Sequence, residues 1–343
     1  MLALVKTERG EGHLALVDRP EPSPAPGWVS IAVTYAGICG TDLHILHDRF
    51  PSWPPVTLGH EFVGTVSAVG VGVDHGLIGR RVVSEPHSMA CGTCYLCRRG
   101  IAELCADKRS PGWGIDGAFA GAITLPAHLL HRVPAGLPDR VAALAEPMAV
   151  AITALSRGRI EPGDTVVVVG PGPVGILLAV AARALGAANV VVVGRAPSER
   201  LRFASSLGLG TAIDLESDAV IRDLTAGRGA DLVVEATGSS AAIALALTIA
   251  RRRGRLVAVG LSGRPEVPVP WDLAVNRAVD VAFSMSSSGT AWDPALAILA
   301  TTGVTLEGMT TVFPLRDWAA AFEAVADRSV IKALLDPRPP AEP

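Results

Sequence analysis

Between Cys39 and Glu61 the chain brings a thiol, an imidazole and a carboxylate close together. The stretch reads Cys39-Gly40-Thr41-Asp42-Leu43-His44, then loop-like residues, then Gly59-His60-Glu61. This is a mixed soft and borderline donor set of the kind Zn²⁺ accepts. Catalytic zinc sites take about three protein ligands and leave a position open. Thr41 and His44 stand just past the cysteine, where polar side chains can carry a proton. Cys39 alone reads more simply as a buried thiol, and it is His60-Glu61 that turns the reading toward metal. Four further cysteines, Cys91, Cys94, Cys97 and Cys105, follow the spacing Cys-x2-Cys-x2-Cys-x7-Cys. Four thiolates close a tetrahedron and leave no room for substrate, so this set reads as a structural zinc site. Zinc binding by comparable peptides is worth on the order of 10 kcal/mol of folding energy. The lobe at about 88–110 is therefore expected to need its metal for order.

A third constellation is Gly170-Pro171-Gly172-Pro173-Val174-Gly175. Gly-x-Gly-x-x-Gly carries little weight alone. Here it lies between the apolar run Thr165–Val169 and a helical run to about Leu185, with a second apolar run at Val190–Val193. That is the strand–turn–helix setting in which the glycines let a pyrophosphate approach the helix N-terminus. NAD-selective loops place an acid at the end of the second strand for the ribose 2′-hydroxyl. This chain has Gly194-Arg195 there. A carboxylate ~5 Å from a phosphate would repel it by ~3 kcal/mol per unit charge at an effective dielectric of 20. Its absence and the adjacent guanidinium favour NADP over NAD, with Arg200 a less discriminating helper.

These groups need two kinds of scaffold. At 343 residues the chain suits two domains. Its 49% hydrophobic and 18% charged residues can fill large cores. Short, partly alternating runs at 3–17, 28–35, 62–70, 81–83 and 116–133 make the first ~145 residues mostly β. Ala142–Leu155 reads as helix interrupted by Glu146-Pro147, which puts Glu146 at or just before a helix start, where it either caps the helix or faces the metal. From Gly163 strands and helices alternate, with further strands at Asp231–Glu235, Arg255–Gly260 and 279–285. That alternation argues for a doubly wound parallel sheet. Helix follows Trp292, and a last strand is expected at Val330–Leu335. The net charge of −3 without a basic block argues against nucleic acid. The apolar region Thr165–Val193 is broken by glycine and proline, so no membrane span is expected. The N-terminus lacks the order of a signal peptide, and a cytoplasmic location is expected. His47, Phe50 and Trp53 are candidates to line a substrate pocket, ordinary loop packing being the alternative.

Together, Cys-Gly-Thr-Asp-Leu-His (39–44), Gly-His-Glu (59–61), the cysteine lobe, Glu146-Pro147, the glycine loop and Glu-Ala-Thr-Gly (235–238) resemble the zinc-dependent medium-chain dehydrogenase/reductase family. The likeness spans essentially the whole chain. Glu146-Pro147 is more like its sorbitol and polyol dehydrogenase branch, while Ser84-Glu85-Pro86-His87 and residues 97–105 are similar to threonine 3-dehydrogenases. The resemblance implies an α/β protein with a GroES-like, mostly-β catalytic domain (1–148 and 290–343) around a Rossmann domain (149–289). It implies catalytic zinc at Cys39, His60 and Glu146, with Glu61 a direct ligand in some members and an exchanging one in others. Thr41 and His44 match a proton relay. The expected cofactor contacts are Gly170, Gly172, Pro173, Val174, Gly175, Gly194, Arg195, Arg200, Thr237, Val259 and Gly260. The implied reaction is hydride transfer between a secondary alcohol or its ketone and the nicotinamide. The expected substrate is a polyol, sugar alcohol or cyclitol, with an amino alcohol, threonine-like or amino-cyclitol, or NAD-dependent polyol oxidation, as alternatives. The family also suggests a homodimer or homotetramer paired through 279–285.

Overall fold

The computed structural model describes residues 1–195, 198–210, 212–214, 219–301 and 306–339. The chain divides into two compact units. One comprises Met1–Glu146, Ser288–Ala300 and Leu306–Pro343, and the other comprises Pro147–Ser287 with Thr301–Thr305.

In the first unit, β-branched residues at every second position of Trp28–Gly37 (Val29, Ile31, Val33) are all buried. This strand is the hub of a seven-stranded sheet. Its path runs Thr310–Pro314, Lys332–Asp336, Trp28–Gly37, Glu61–Val69, Arg81–Ser84, Leu130–Arg132, and Ala122–Pro126 also pairs with the hub. The apolar run expected at 3–17 is a hairpin of Leu2–Lys6 and Leu14–Asp18, joined in a small sheet by Val56–Thr57.

In the second unit six parallel strands lie in the order Ala212–Asp214, Asn189–Gly194, Thr165–Val169, Ala230–Glu235, Ala250–Ala258, Asp280–Phe283. Numbered within the unit this is 3-2-1-4-5-6, the doubly wound dinucleotide-binding order. Val166 to Val169 have no exposed surface, as expected of a strand covered on both faces. The helix Pro173–Ala184 follows, and among the described residues no helix is long and apolar enough to cross a membrane.

Two sequence expectations need correction. The break in the helical stretch falls at Ala143-Leu144, between helices Asp139–Ala142 and Ala145–Arg157, and not at Glu146-Pro147. Pro147 sits in the first turn of the second helix, where a missing N–H breaks no bond. The strand expected from Arg255 begins at Ala250. A register shift against Ala230–Glu235 admits Arg251–Arg253, whose charges disguised the strand.

Candidate active site

The register of the larger sheet brings the first constellation together. Gly37 lies opposite Glu61 on one neighbouring strand and opposite Leu334 on the other. Glu61 and Lys332 meet over it in an ion pair, each 2% exposed. They can do so because Gly37 has no side chain: a Cβ there would stand 2.6 Å from Glu61 Oε2 and 2.8 Å from Lys332 Cε. Removing one partner of a buried pair typically costs ~3–5 kcal/mol, because the other charge is left uncompensated.

Beyond Gly37 the strand ends and Cys39 starts the helix Gly40–Leu46, with the fully buried Asp42 carboxylate accepting the Cys39 N–H at 2.8 Å. His60 follows Gly59, which has φ +95° and would place a Cβ 2.4 Å from the Phe119 ring. Only glycine fits that turn. The ligand atoms of Cys39, His60 and Glu61 then lie within 4.8 Å of one another. Glu146, 8% exposed in the first turn of its helix, falls outside that cluster.

The electrostatics ask for a cation. Burial, then the Glu61 carboxylate, pushes the Cys39 thiol well above its ordinary range. The same two causes push Glu146 up to about 7. Burial also raises Asp42. His60 Nδ1 and Asp42 Oδ1 are buried without hydrogen-bond partners and stand 3.9 Å apart. A divalent ion at the cluster would reverse these shifts and hold the thiol as thiolate. The donor set and its unsatisfied atoms therefore fit Zn²⁺.

Around the cluster, Thr41 Oγ1 lies 3.6 Å from Cys39 Sγ. His44 is half-buried one helical turn further on, and no hydrogen bond joins it to Thr41. Phe50 meets Trp113 edge-to-face at 5.4 Å, and Trp113 meets His60 in the same way at 5.2 Å. Trp53, 43% exposed, carries the Arg109 guanidinium 4.1 Å over its ring. His47 turns to Glu11 at 2.9 Å on the exposed side. Of the three candidate pocket residues, only Phe50 is tied to the cluster by this packing. Sequence reading left Asp42 and Lys332 without roles. Asp42 lay inside a quoted motif, but no local signal marks Lys332.

The cysteine lobe is organised differently. Cys91 and Cys97 sulfurs are 3.9 Å apart, and all four ligand sulfurs lie within 4.8 Å of one another. The edge of a Zn–thiolate tetrahedron with ~2.3 Å bonds is ~3.8 Å. Backbone N–H groups donate to the sulfurs: Cys94 to Cys91 at 3.3 Å, Cys97 to Cys94 at 3.4 Å, and Cys91 to Cys105 at 3.4 Å. N–H groups of Thr93 and Cys94 draw the Cys91 thiol down to about 6, while burial, then the neighbouring thiols, pushes Cys97 up to about 12. These shifts are those of thiols crowded into one site.

In the second unit the glycine loop sits at the carboxyl end of Thr165–Val169, where the strand order reverses. A Cβ on Gly175 would come within 1.8 Å of the Gly170 carbonyl, so helix and loop touch only through glycine. Thr237 lies against Gly170, and the fully buried Glu235 holds it: its carboxylate accepts Thr237 N–H at 2.7 Å, Thr237 Oγ1–H at 2.6 Å and Gly238 N–H at 3.0 Å. The Glu235 carbonyl accepts from Val259 and Gly260 at 2.8 and 3.2 Å. Thr237, Val259 and Gly260 are thus one hydrogen-bonded rim, with Gly170 packed against Thr237. Gly172, Pro173 and Val174 open the helix on it. Gly194 is buried, and a Cβ there would meet the Pro171 ring at 2.7 Å, while Arg195 beside it is exposed. Arg200 is half-buried in the helix Glu199–Ser206.

A largely buried thiol–imidazole–carboxylate cluster, a four-cysteine lobe and a doubly wound sheet define a zinc-dependent dehydrogenase of mixed α/β architecture. Residues 25–135 match the alcohol dehydrogenase GroES-like domain family and residues 173–301 the zinc-binding dehydrogenase family. The chain is 36% identical over 342 residues to the sorbitol dehydrogenase of Halalkalibacterium halodurans, covering 98% of this chain and 99% of that one. It is 36% identical over 350 residues to the L-threonine 3-dehydrogenase of Streptomyces avermitilis, covering 98% and 99%. Its fold matches the alcohol dehydrogenase TADH from Thermus sp. ATN1 with TM-score 0.87 and 33% identity, covering 98% and 99%. The chain belongs to the zinc-dependent medium-chain alcohol and polyol dehydrogenases, oxidoreductases that act on small molecules.

Proposed function

We propose that this enzyme interconverts a secondary alcohol of a polyol, sugar alcohol or cyclitol and the corresponding ketone, with NADP favoured over NAD. The observation that carries the reading is the Cys39–His60–Glu61 cluster, its histidine and carboxylate buried. Cys39 and His60 hold zinc with a carboxylate from Glu61 or Glu146, and the lobe cysteines hold a second ion. A bound zinc supplies Lewis-acid polarisation of the substrate oxygen, and a bound nicotinamide exchanges the hydride. The chain's own task is the proton: Thr41 accepts it from the substrate hydroxyl as it gives up its own, and His44, reached through an intervening hydroxyl or water, passes it to solvent. Positioned proton acceptors contribute ~10²–10⁴-fold in rate. Phe50 and Trp113 wall the site beside His60. The NADP preference rests on the acid-free end of Asn189–Gly194 and the exposed Arg195.

A second reading, oxidation of an amino alcohol, is favoured by the likeness to L-threonine 3-dehydrogenase. One assay separates them: initial rates with NAD and NADP in parallel on polyols, cyclitols, amino-cyclitols, threonine and simple secondary alcohols. Turnover of a polyol or cyclitol with NADP is expected. Threonine as the sole substrate would move the enzyme to the second reading, and turnover with NAD alone would overturn the cofactor preference.

We also infer self-association through Asp280–Phe283. This strand pairs only with Ala250–Ala258 among the described residues and exposes Val281 and Phe283 (74%), with Met285 exposed just beyond it. An exposed apolar edge favours pairing with another strand. A monomer by sedimentation at micromolar concentration would rule this out.

A further inference from the structure

The second unit carries a cavity of about 430 Å³ lined by Arg222, Arg228, Arg251, Arg252 and Arg277. It lies at the amino ends of the parallel strands: Arg228 precedes Ala230–Glu235, Arg251 and Arg252 open Ala250–Ala258, and Arg277 ends the helix before Asp280–Phe283. The glycine loop is at the opposite, carboxyl ends, so the cavity is not part of the dinucleotide site. Among the described residues no Asp or Glu lines it.

Three of the guanidinium groups, those of Arg228, Arg252 and Arg277, are anchored on backbone carbonyls. Arg228 donates to the Thr225 carbonyl at 3.1 Å, Arg252 to the Asn276 carbonyl at 2.9 Å, and Arg277 to the Ala250 carbonyl at 3.0 Å. None of these three is ion-paired within the described residues. Arg251 reaches the Asp231 carboxylate at 2.7 Å, whose other oxygen accepts the Thr165 N–H at 2.9 Å. A guanidinium has five N–H donors, so Arg228, Arg252 and Arg277 keep several for a ligand. Carbonyl anchors hold like charges together that would otherwise spread into solvent. Guanidinium forks match phosphate oxygens two at a time. The volume is in the range of small-molecule sites, roughly 300–1,000 Å³, and Ile221 and Ile249 give it an apolar wall.

We propose that this cavity binds a small polyphosphorylated ligand, a molecule bearing a pyrophosphate or two phosphate groups, independently of the nicotinamide cofactor. The test is calorimetric titration of inorganic pyrophosphate into the enzyme saturated with reduced cofactor, so that the glycine loop is occupied, at ionic strength held constant with KCl. One pyrophosphate per chain is expected, with affinity at least tenfold weaker in Arg228→Ala/Arg252→Ala and cofactor affinity unchanged. In the unaltered enzyme, pyrophosphate is expected to protect Arg228 and Arg252 from phenylglyoxal, read by peptide mass. No heat beyond the KCl control, full binding by the double variant, or absence of protection would each overturn the proposal.

Discussion

The first unit holds two cysteine sites that solve the same problem in opposite ways. The lobe takes all its ligands from residues 91–105 and quiets their sulfurs with its own backbone N–H groups. It is local and half-exposed, and chemically complete once four thiolates meet. The Cys39 cluster draws on Cys39, His60 and Glu61 and on Lys332 from the last strand, all but Cys39 buried, and it leaves His60 Nδ1 and Asp42 Oδ1 unsatisfied. A closed site can be assembled from one loop. An open one must be held by a rigid sheet, because the ion's free position has to stay free.

This contrast can be tested most severely by Cys39→Ser and Cys94→Ser. Cys39→Ser is expected to lower kcat/KM by at least 1,000-fold while the melting temperature stays within a few degrees. Cys94→Ser is expected to collapse the lobe and sharply lower the melting temperature, since on the order of 10 kcal/mol of metal-linked folding energy is at stake. Each should lose one zinc by atomic emission, and matching phenotypes would erase the distinction. Next in size is Lys332→Met, expected to destabilise by ~3–5 kcal/mol in urea unfolding as Glu61 loses its partner. Unchanged stability would mean that Glu61 is neutralised otherwise. His44→Ala is expected to slow turnover by ~10²-fold with both zincs retained, and wild-type rates would remove it from the relay. The smallest effect is expected at the exposed Arg195, where Arg195→Ala should shift the NADP/NAD ratio of specificity constants by roughly fivefold, about 1 kcal/mol after solvent screening. Introducing an acid at Gly194 is a poorer test, because its side chain would collide with Pro171.

The contrast also explains what the sequence revealed. The lobe, the glycine loop and Cys39 through Glu61 are local patterns, and each could be read in one window. So could the parallel sheet, whose valine runs need no partner to be recognised. Lys332 could not, because its role depends on strand register: Lys332–Asp336 pairs antiparallel with Trp28–Gly37, and nothing near residue 332 announces it. Gly37 was equally silent, since its missing side chain matters only once two other strands flank it. Arg251–Arg253 hid a strand for a related reason. Arg251 and Arg252 line the cavity at the sheet's amino ends, which only the fold assembles. His47 and Trp53 show the converse: closeness in sequence to the metal motif did not prevent them from pairing with Glu11 and Arg109.

The Lys332–Glu61 pair has a consequence for how the protein is made. A ribosome releases Glu61 long before Lys332. Until then the nascent first unit holds a carboxylate that cannot be buried without a counter-charge. The second unit's sheet is complete once Asp280–Phe283 has emerged, so it is free to fold first. A chain stalled just before residue 332 should therefore show a protease-resistant dinucleotide unit beside an open, zinc-poor metal unit, with the arrival of Lys332–Asp336 as the step that closes the metal unit.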